Sequence, residues 1–313
     1  MKKTYYATCV PGLEPVVGEL LKREPGVVLE WPVEGAVLFR ADRAPNFPYL
    51  HNVFLVLHTL RGLPDLDAAV KKLLLAGDWL DRIPFDQMEQ LAQIGQPAPM
   101  EGKRFRIVTM HHDQLAPVNM RYLSLLEQVI CEHTGLRIRR ERPEVELWLI
   151  RCGERATVFA WRLSARRADK AGTMRPDLCA AMAALAAAPG GSAVCLGGEE
   201  RLAQALRAAG CKAVFSVADS AACAQRPDGS AEAVAGRLRA GGTEMRAALR
   251  ETRRMLTPEG RAVLLTAEDM SGALDQTPGL AAQERYALRI GGRTHQLWVL
   301  VRKGGEGRVP ESV

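Results

Sequence analysis

The apolar positions of this chain recur with two different periods, which divide it into strands and helices. Thr4 to Val10 is a short apolar run, and Pro11-Gly12 follows it as a turn. Behind the turn, apolar side chains recur at helical spacing: Leu13, Val16, Val17, Leu20 and Leu21. Positions spaced in this way share one face of a helix, whereas strict alternation distributes side chains over the two faces of a strand. The opening therefore predicts a strand that runs into an amphipathic helix.

The same patterns continue through two α/β segments separated by a linker rich in Gly, Gln and Pro. The predicted strands cover 27–31, 36–40, 53–60, 104–110, 136–140, 145–150 and 155–161. One predicted helix begins at Pro64-Asp65, and a second is capped by Asn119 and ends at Gly135. Asn is a favoured helix N-cap, and Gly just past the last turn is a common terminator. Residues 94–102 form the linker between the two segments.

After Lys170 the composition shifts to Ala and Gly, and strands alternate with helices. Ser192 to Leu196, Lys212 to Val217 and Arg261 to Thr266 are the predicted strands, with Gly residues at the turns. This alternation is typical of a parallel sheet with crossover helices. The hairpin strands 287–290 and 296–302 close the pattern, whereas 218–242 shows no period and 270–282 is expected to be loop.

The apolar runs, the N-terminus and the cysteines of the sequence indicate the cellular compartment. No apolar run reaches the roughly 18 residues that a membrane span needs, and no apolar segment follows the basic N-terminus as in a secretion signal. The seven cysteines include no Cys-x-x-Cys pair, so neither a zinc site nor a redox dithiol is indicated. Free thiols suit a reducing compartment. We expect a cytoplasmic protein that does not associate with membranes.

The positive charge of the chain is concentrated in one segment. Between Arg137 and Arg175 there are eleven Arg or Lys against five Asp or Glu, a surplus of six that equals the formal net charge of the whole chain, +6. A basic segment on an otherwise neutral protein is typical of proteins that bind polyanions. A solvated arginine-rich surface without a ligand is the alternative.

Short motifs in a fixed order resemble one protein family. Tyr6 to Glu14 is similar to its opening strand and Gly-Leu-Glu helix start, and Phe105 to Arg151 resembles the core of a THUMP domain. Leu163-Ser164 with Ala171 to Pro176, Leu256 to Arg261 and Gly291 to Val301 resemble its later segments. The family is that of THUMP-containing, S-adenosylmethionine-dependent RNA guanine-N2 methyltransferases.

The resemblance implies an α/β fold class with an α+β front end. A ferredoxin-like domain (1–95) and a THUMP RNA-binding domain (103–162) would precede a truncated Rossmann-like methyltransferase domain (171–305). Structured RNA, tRNA above all, is the implied partner. Sequence-independent RNA binding relies on phosphate and 2′-hydroxyl contacts, which Arg and Lys provide. The candidate RNA-binding residues are Lys103, Arg104, Arg106, Arg121, Arg137, Arg139, Arg140, Arg142, Arg166, Arg167 and Lys170. For each arginine, a surface ion pair with a nearby Glu is the competing interpretation, and Tyr122 and Trp148 are candidate stacking residues or core.

The cofactor turn of the family is altered in this chain. Members resemble Asp-Pro-Phe-Cys-Gly-Ser-Gly-Thr there, whereas this chain has Cys195-Leu196-Gly197-Gly198-Glu199-Glu200. Such a turn lets the backbone approach the cofactor, and an acidic residue after the second strand binds the ribose hydroxyls. Gly197, Gly198 and Asp219 are therefore the candidate binding residues for S-adenosyl-L-methionine, if the protein is active. Asp219 as a simple turn or cap residue is the alternative.

The target-base motif of the family, Asn or Asp before Pro-Pro-Tyr, is absent. No Pro-Pro, Tyr or Trp occurs between Leu196 and Ala262. That interval holds about 65 residues where three βαβ repeats would need roughly 100, so one or two strands are expected to be missing. We therefore name no catalytic residue and expect an RNA-binding protein that has lost catalysis and pairs with an active methyltransferase.

Two other classes remain open. An active S-adenosylmethionine-dependent guanine-N2 methyltransferase with diverged motifs would need a cofactor-sized pocket beside Gly197. An α/β enzyme acting on a small substrate would need an acid–base pair or nucleophile, which the sequence does not offer. His111-His112-Asp113 is not expected to bind metal, because adjacent strand residues point in opposite directions.

Overall fold

The chain divides into two compact units. The computed structural model describes residues 2–77, 79–80, 102–111, 114–154, 156–164, 173–238 and 241–303. The first unit consists of Met1–Thr8, Leu21–Asn46 and Leu50–Arg166, and the second of Cys9–Leu20, Phe47–Tyr49 and Arg167–Val313. Along the described chain, no helix has the length and apolar character to cross a membrane.

The first unit is built on one mixed sheet. Its strands are β1 (Lys3–Thr8), β2 (Val28–Val33), β3 (Ala36–Ala41), β4 (Asn52–Arg61), β5 (Arg104–His111), β6 (Gln114–Leu115), β7 (Arg137–Ile138), β8 (Val145–Cys152) and β9 (Ala156–Arg162). They lie in the order β2-β3-β1-β4-β9-β8-β5-β6, and β7 pairs with β5. The antiparallel pairing of β4 with β9 joins the strands before the linker to those after it. One continuous sheet therefore includes strands from both front segments of the sequence.

Two helices accompany this sheet, and their ends follow local capping rules. They are α2 (Leu66–Ala76) and α3 (Met120–Thr134), while the residues of α1 (Glu14–Lys22) are divided between the two units after Leu20. Asp65 caps α2 through the Ala68 N–H (2.7 Å), and Asn119 caps α3 through the Arg121 N–H (3.0 Å). Gly135 ends α3 in the left-handed conformation (φ 71°), which glycine adopts without strain. Both capping residues agree with the sequence-based expectation.

The second unit is an α/β layer structure. Its strands are β10 (Ser192–Leu196), β11 (Ala213–Val217), β12 (Ala231–Leu238), β13 (Leu256–Thr266), β14 (Leu280–Ile290) and β15 (Arg293–Arg302). Its helices are α4 (Pro176–Ala186), α5 (Glu200–Ala208), α6 (Ser220–Cys223), α7 (Gly242–Met255) and α8 (Ser271–Asp275). The sheet order is β11-β10-β12-β13-β15-β14.

Strands β10 to β13 are parallel, as the alternating pattern predicts. The chain passes from β10 to β11 on one side and then crosses to β12 on the other side, so the strand order reverses beside β10. Ligands of open α/β sheets bind at this reversal, outside the carboxyl ends of the strands. Two strands, β11 and β12, lie between β10 and β13.

Two segments differ from the sequence-based expectation. Residues 218–242 lack a period, yet they contain β12, which pairs with both β10 and β13. Residues 270–282 were expected to be loop, yet they contain α8 and the start of β14. Strand β14 lies at the edge of the sheet and pairs with β15 along its whole length.

The N-terminal segment Cys9–Leu20 belongs to the second unit. The Arg289 N–H of β14 donates to the Pro11 carbonyl at 2.9 Å. Gly12 has φ +97°, and a Cβ at this position would lie 2.0 Å from the Ala287 carbonyl oxygen. Only glycine fits there, because the backbones approach too closely for any side chain.

Candidate functional sites

A cavity of about 290 Å³ lies at the carboxyl ends of the strands where their order reverses. This volume is near the lower end of the range for small-molecule pockets, roughly 300–1,000 Å³. The ends of β10 and β12, the turn after β10, the chain after β11 with α6, and the first part of α7 form its walls. Its lining residues are Leu196, Gly197, Ala218, Asp219, Ser220, Cys223, Arg237, Leu238, Glu244, Met245 and Ala248. The lining thus combines an apolar floor with two carboxylates and one arginine.

The glycine turn after β10 is tight and internally bonded. Gly197 (φ +81°) and Gly198 (φ +65°) are both left-handed, and both N–H groups donate to the Val217 carbonyl, at 2.9 and 3.1 Å. A Cβ on Gly197 would lie 3.0 Å from the Arg237 carbonyl oxygen. Gly197 lines the cavity, whereas Gly198 is outside its lining. Because both amide N–H groups already donate to the Val217 carbonyl, they are less available to bind an anionic ligand.

Asp219 has the cap role considered for it, and it also lines the cavity. It is the second residue after β11, and it caps α6 by accepting the Ala222 N–H at 2.9 Å. A carboxylate has several acceptor sites, so one backbone bond leaves others for ligand hydroxyls. The arrangement suits the ribose of an adenosyl group, which presents two hydroxyl donors.

The thiol in the cavity is not an activated nucleophile. Burial raises the pKa of Cys223 to about 11, with Glu251 adding a smaller upward effect. The thiolate is the reactive form of cysteine. At neutral pH the Cys223 side chain is therefore protonated and acts as an apolar wall.

The end of β12 carries no base-capturing group. Gly236 packs so closely that a Cβ there would lie 2.5 Å from Leu196 Cβ. Arg237 and Leu238 follow and line the cavity. Residues 239–240 lie outside the described residues, and their identities in the sequence, Arg and Ala, provide neither an acceptor nor an aromatic ring. A flipped base is held by hydrogen bonds to its edge and by stacking on aromatic or apolar side chains, and the Asn or Asp acceptor and aromatic ring of the family motif have no counterpart here.

Two of the candidate RNA-binding arginines are engaged in ion pairs. Arg104 forms a bidentate pair with Glu144, with its Nε 2.9 and 3.0 Å from the two carboxylate oxygens. These bonds hold the pKa of Glu144 below its ordinary value. Arg106 pairs with Glu146 at 2.6 Å, and Arg162 binds the other oxygen of the same carboxylate at 2.9 Å. For Arg104 and Arg106 the ion-pair alternative therefore describes the structure.

Four other candidates, the loop arginines Arg137, Arg139, Arg140 and Arg142, follow α3 and are exposed. Arg137 pairs through its backbone with Arg104, and the half-buried Lys103 accepts the Arg137 N–H at 2.8 Å. The loop arginines and Lys103 therefore lie around the start of β5. Arg140 is close enough to the buried Glu127 to lower its pKa, although desolvation is the larger effect and raises it.

The remaining candidates are separate from this group. Arg121 lies in the first turn of α3, so about 20 Å of helix, at 1.5 Å per residue, separates it from the loop arginines. Arg166, Arg167 and Lys170 lie outside the described residues.

The two aromatic candidates have partners within the first unit. Lys71 Nζ lies 4.5 Å from the centre of the Tyr122 ring. Trp148 packs edge-on against Phe54, with ring centres 5.3 Å apart. Neither contact identifies an open stacking surface. Among the described residues no cluster of His, Cys, Asp and Glu could hold a metal ion, and His112 and Asp113 are not among them.

Solved structures share this architecture over nearly the whole chain. TrmN from Thermus thermophilus is 20% identical with a TM-score of 0.65, and the match covers 96% of this chain and 99% of that one. A possible methylase from Clostridium difficile 630 is 11% identical with a TM-score of 0.59, covering 96% and 98%. No protein-family model and no curated protein matches the chain.

These likenesses define the class of fold. Over nearly its whole length the chain shares the fold of TrmN and of the possible methylase, with two sheets in a mixed α/β arrangement.

Proposed function

We propose that this protein binds structured RNA, with tRNA as its main ligand, and that it has lost methyl transfer. The observation that carries the proposal is the contrast between its two sites. The loop arginines remain exposed, whereas the end of β12 has Gly236-Arg237-Leu238 where a base acceptor would be needed. In this proposal a partner methyltransferase performs the chemistry, in the cytoplasm.

The proposal keeps the division expected from the sequence. In this proposal residues 1–95 are the ferredoxin-like domain and 103–162 the THUMP domain, and the described strands of both ranges belong to the first sheet. Residues 171–305 form the methyltransferase-like domain. RNA contact belongs to the first sheet, because the exposed loop arginines lie there.

The second candidate function is an active S-adenosylmethionine-dependent RNA guanine-N2 methyltransferase. The cavity favours it, because Gly197 and Asp219 line one pocket at the strand-order reversal. Asp219 would hold the ribose hydroxyls of the cofactor. The fit is incomplete on the other side of the turn, where Glu199 and Glu200 would repel the cofactor carboxylate. Arg237 would likewise repel the sulfonium charge.

Calorimetric titration of S-adenosylmethionine, with and without bulk tRNA, separates the two functions. The first proposal expects tRNA binding without measurable cofactor binding. Micromolar cofactor binding would overturn the loss of catalysis and favour the second candidate.

The test of tRNA binding needs a matched control variant. The test variant replaces Arg137, Arg139 and Arg142 by Gln, and the control replaces Arg207, Arg246 and Arg250, which are exposed arginines of the second unit. A plot of log affinity against log salt concentration has a negative slope, and each lost phosphate contact makes that slope less steep by about 0.7–0.9. We expect a decrease of about 2–3 for the test variant and little change for the control. Equal decreases in the two variants would contradict the assignment to the first sheet.

A further inference from the structure

The loop that carries the exposed arginines is tied to β5 at two places. At the first, Arg104 and Glu144 are joined by side chains and backbone together: the Glu144 N–H donates to the Arg104 carbonyl at 2.9 Å, and the Arg104 N–H donates to Glu144 Oε2 at 3.0 Å. The bidentate side-chain pair adds to these bonds. Glu144 stands at the end of the loop, two residues after Arg142, so this contact fixes the point where the chain enters β8.

The second tie involves Arg106. Its Nη1 reaches the Arg140 carbonyl at 3.5 Å, while its Nε and Nη2 lie 2.8 and 2.6 Å from Glu146 Oε1. Arg162 binds the other oxygen of Glu146 and also Asn52 Oδ1 at 2.7 Å. The side chain of Glu146 is only 8% exposed. A buried carboxylate between two arginines holds both guanidinium groups in place.

Arg142 has an unusual backbone within this loop. Its φ is 45°, the only positive value of a non-glycine residue among the described residues. The left-handed region is unfavourable for side chains with a Cβ. Residues kept in such conformations cluster at functional sites, where the surrounding structure holds them. The side chain of Arg142 is exposed and forms no ion pair with a described residue.

We infer that the loop arginines contact the RNA backbone, with Arg142 as a direct contact, and that Arg104 and Arg106 are positioning residues that hold the loop. This inference rests on the proposed RNA binding and deepens it. Arg104 would have to exchange its bonds to Glu144 for a phosphate, whereas Arg137, Arg139 and Arg142 have no ion pair with a described residue to give up. The partner group is therefore the phosphodiester backbone of folded RNA, bound around the start of β5.

A charge exchange tests the role of Arg104. The single variant Arg104→Glu places two carboxylates together and should weaken tRNA binding. The double variant Arg104→Glu with Glu144→Arg rebuilds the pair in reverse and should restore both the affinity and the salt slope. A double variant that stays as weak as the single one would show that Arg104 itself binds RNA, which overturns the inference. If Arg104→Glu does not fold, Arg104→Gln with Glu144→Gln serves instead, and an unchanged salt slope is expected.

Three substitutions test Arg142. Arg142→Gly removes the charge and relieves the backbone, so the thermal midpoint should not fall, while the salt slope should decrease by about 0.7–0.9. Arg142→Gln should reduce the salt dependence of tRNA binding equally but leave the unfavourable backbone conformation in place. Arg142→Lys keeps the positive charge and should retain the salt dependence. Salt slopes of the Gly and Gln variants equal to that of the unmodified protein would overturn the inference. If the unmodified protein binds no tRNA, the proposed function itself fails, and this outcome is distinguishable from the others.

Discussion

Replacing Asp219 by Ala or by Ser separates its capping role from its position in the cavity. Alanine removes the bond from the Ala222 N–H (2.9 Å) to the side chain. Loss of an N-cap costs roughly 0.5–2 kcal/mol, and the exposed position and short α6 favour the lower half of that range. For a domain of this size the midpoint should fall by about 1–4 °C. Serine is as good an N-cap as aspartate, so Asp219→Ser should keep nearly all of the stability.

The two substitutions should affect ligand affinity equally, although they affect stability differently. Hydrogen bonds to a charged group contribute about 1.5–3 kcal/mol, a factor of roughly 10–150 in affinity. If the cavity binds an adenosyl ligand, both Asp219→Ala and Asp219→Ser should weaken it by that factor, because both lack the carboxylate. Stability would thus distinguish the two variants, whereas affinity would not.

Thermal denaturation followed by circular dichroism and calorimetric titration measure the two effects. The matched control is Asp65, which caps α2 through the Ala68 N–H in the first unit. Asp65→Ala should lower stability and leave the affinity for the ligand unchanged. The reasoning is refuted if Asp219→Ser is as unstable as Asp219→Ala, or if a ligand that binds the cavity is unaffected by both.

Two further predictions concern backbone and thiols. Gly12→Ala should destabilise the protein by about 2–4 kcal/mol, because it combines a left-handed backbone with a Cβ 2.0 Å from the Ala287 carbonyl oxygen. Gly62→Ala, which also has a positive φ (+67°) but no atom within 4 Å of the added Cβ, should cost about half as much in urea denaturation or less; equal costs would refute the close approach. Burial raises the pKa of Cys195 to about 11, so the protonated thiol favours the folded state below the unfolded pKa, near 8.5. This contribution should be lost as the pH rises from about 8.5 through 11, and a midpoint that does not fall over this range would contradict it. A thiol reagent at pH 8 should modify the half-buried Cys131 before Cys195.

The strands and helices with strong periodicity could be predicted from the sequence, but the central strand β12 could not. Ala233, Ala235 and Gly236 are fully covered between β10 and β13. Close packing against Leu196 leaves no room for a Cβ at Gly236, and both Gly and Ala have low strand propensity. The small residues that let β12 pack between its neighbours are thus the reason why the sequence pattern does not predict a strand there.

The residues of the cavity could likewise be predicted only in part from the sequence. Gly197 and Asp219 were candidates because their motif positions follow β10 and β11, and the structure brings both to one pocket. Glu244 and Met245 come from α7, whose place against β12 depends on the crossover connection rather than on a local pattern. The loop arginines also needed the structure, because the sequence alone does not show that Glu144 and Glu146 pair with Arg104 and Arg106 but leave Arg142 exposed.

The bond between the Arg289 N–H and the Pro11 carbonyl has a consequence for biosynthesis. The segment Cys9–Leu20 leaves the ribosome before its partner strand β14, which emerges about 270 residues later. At about 5–20 residues per second, this delay is on the order of 15–50 seconds. During that time the segment Cys9–Leu20 has no native partner in β14, so the second unit can close only after β14 has been synthesised.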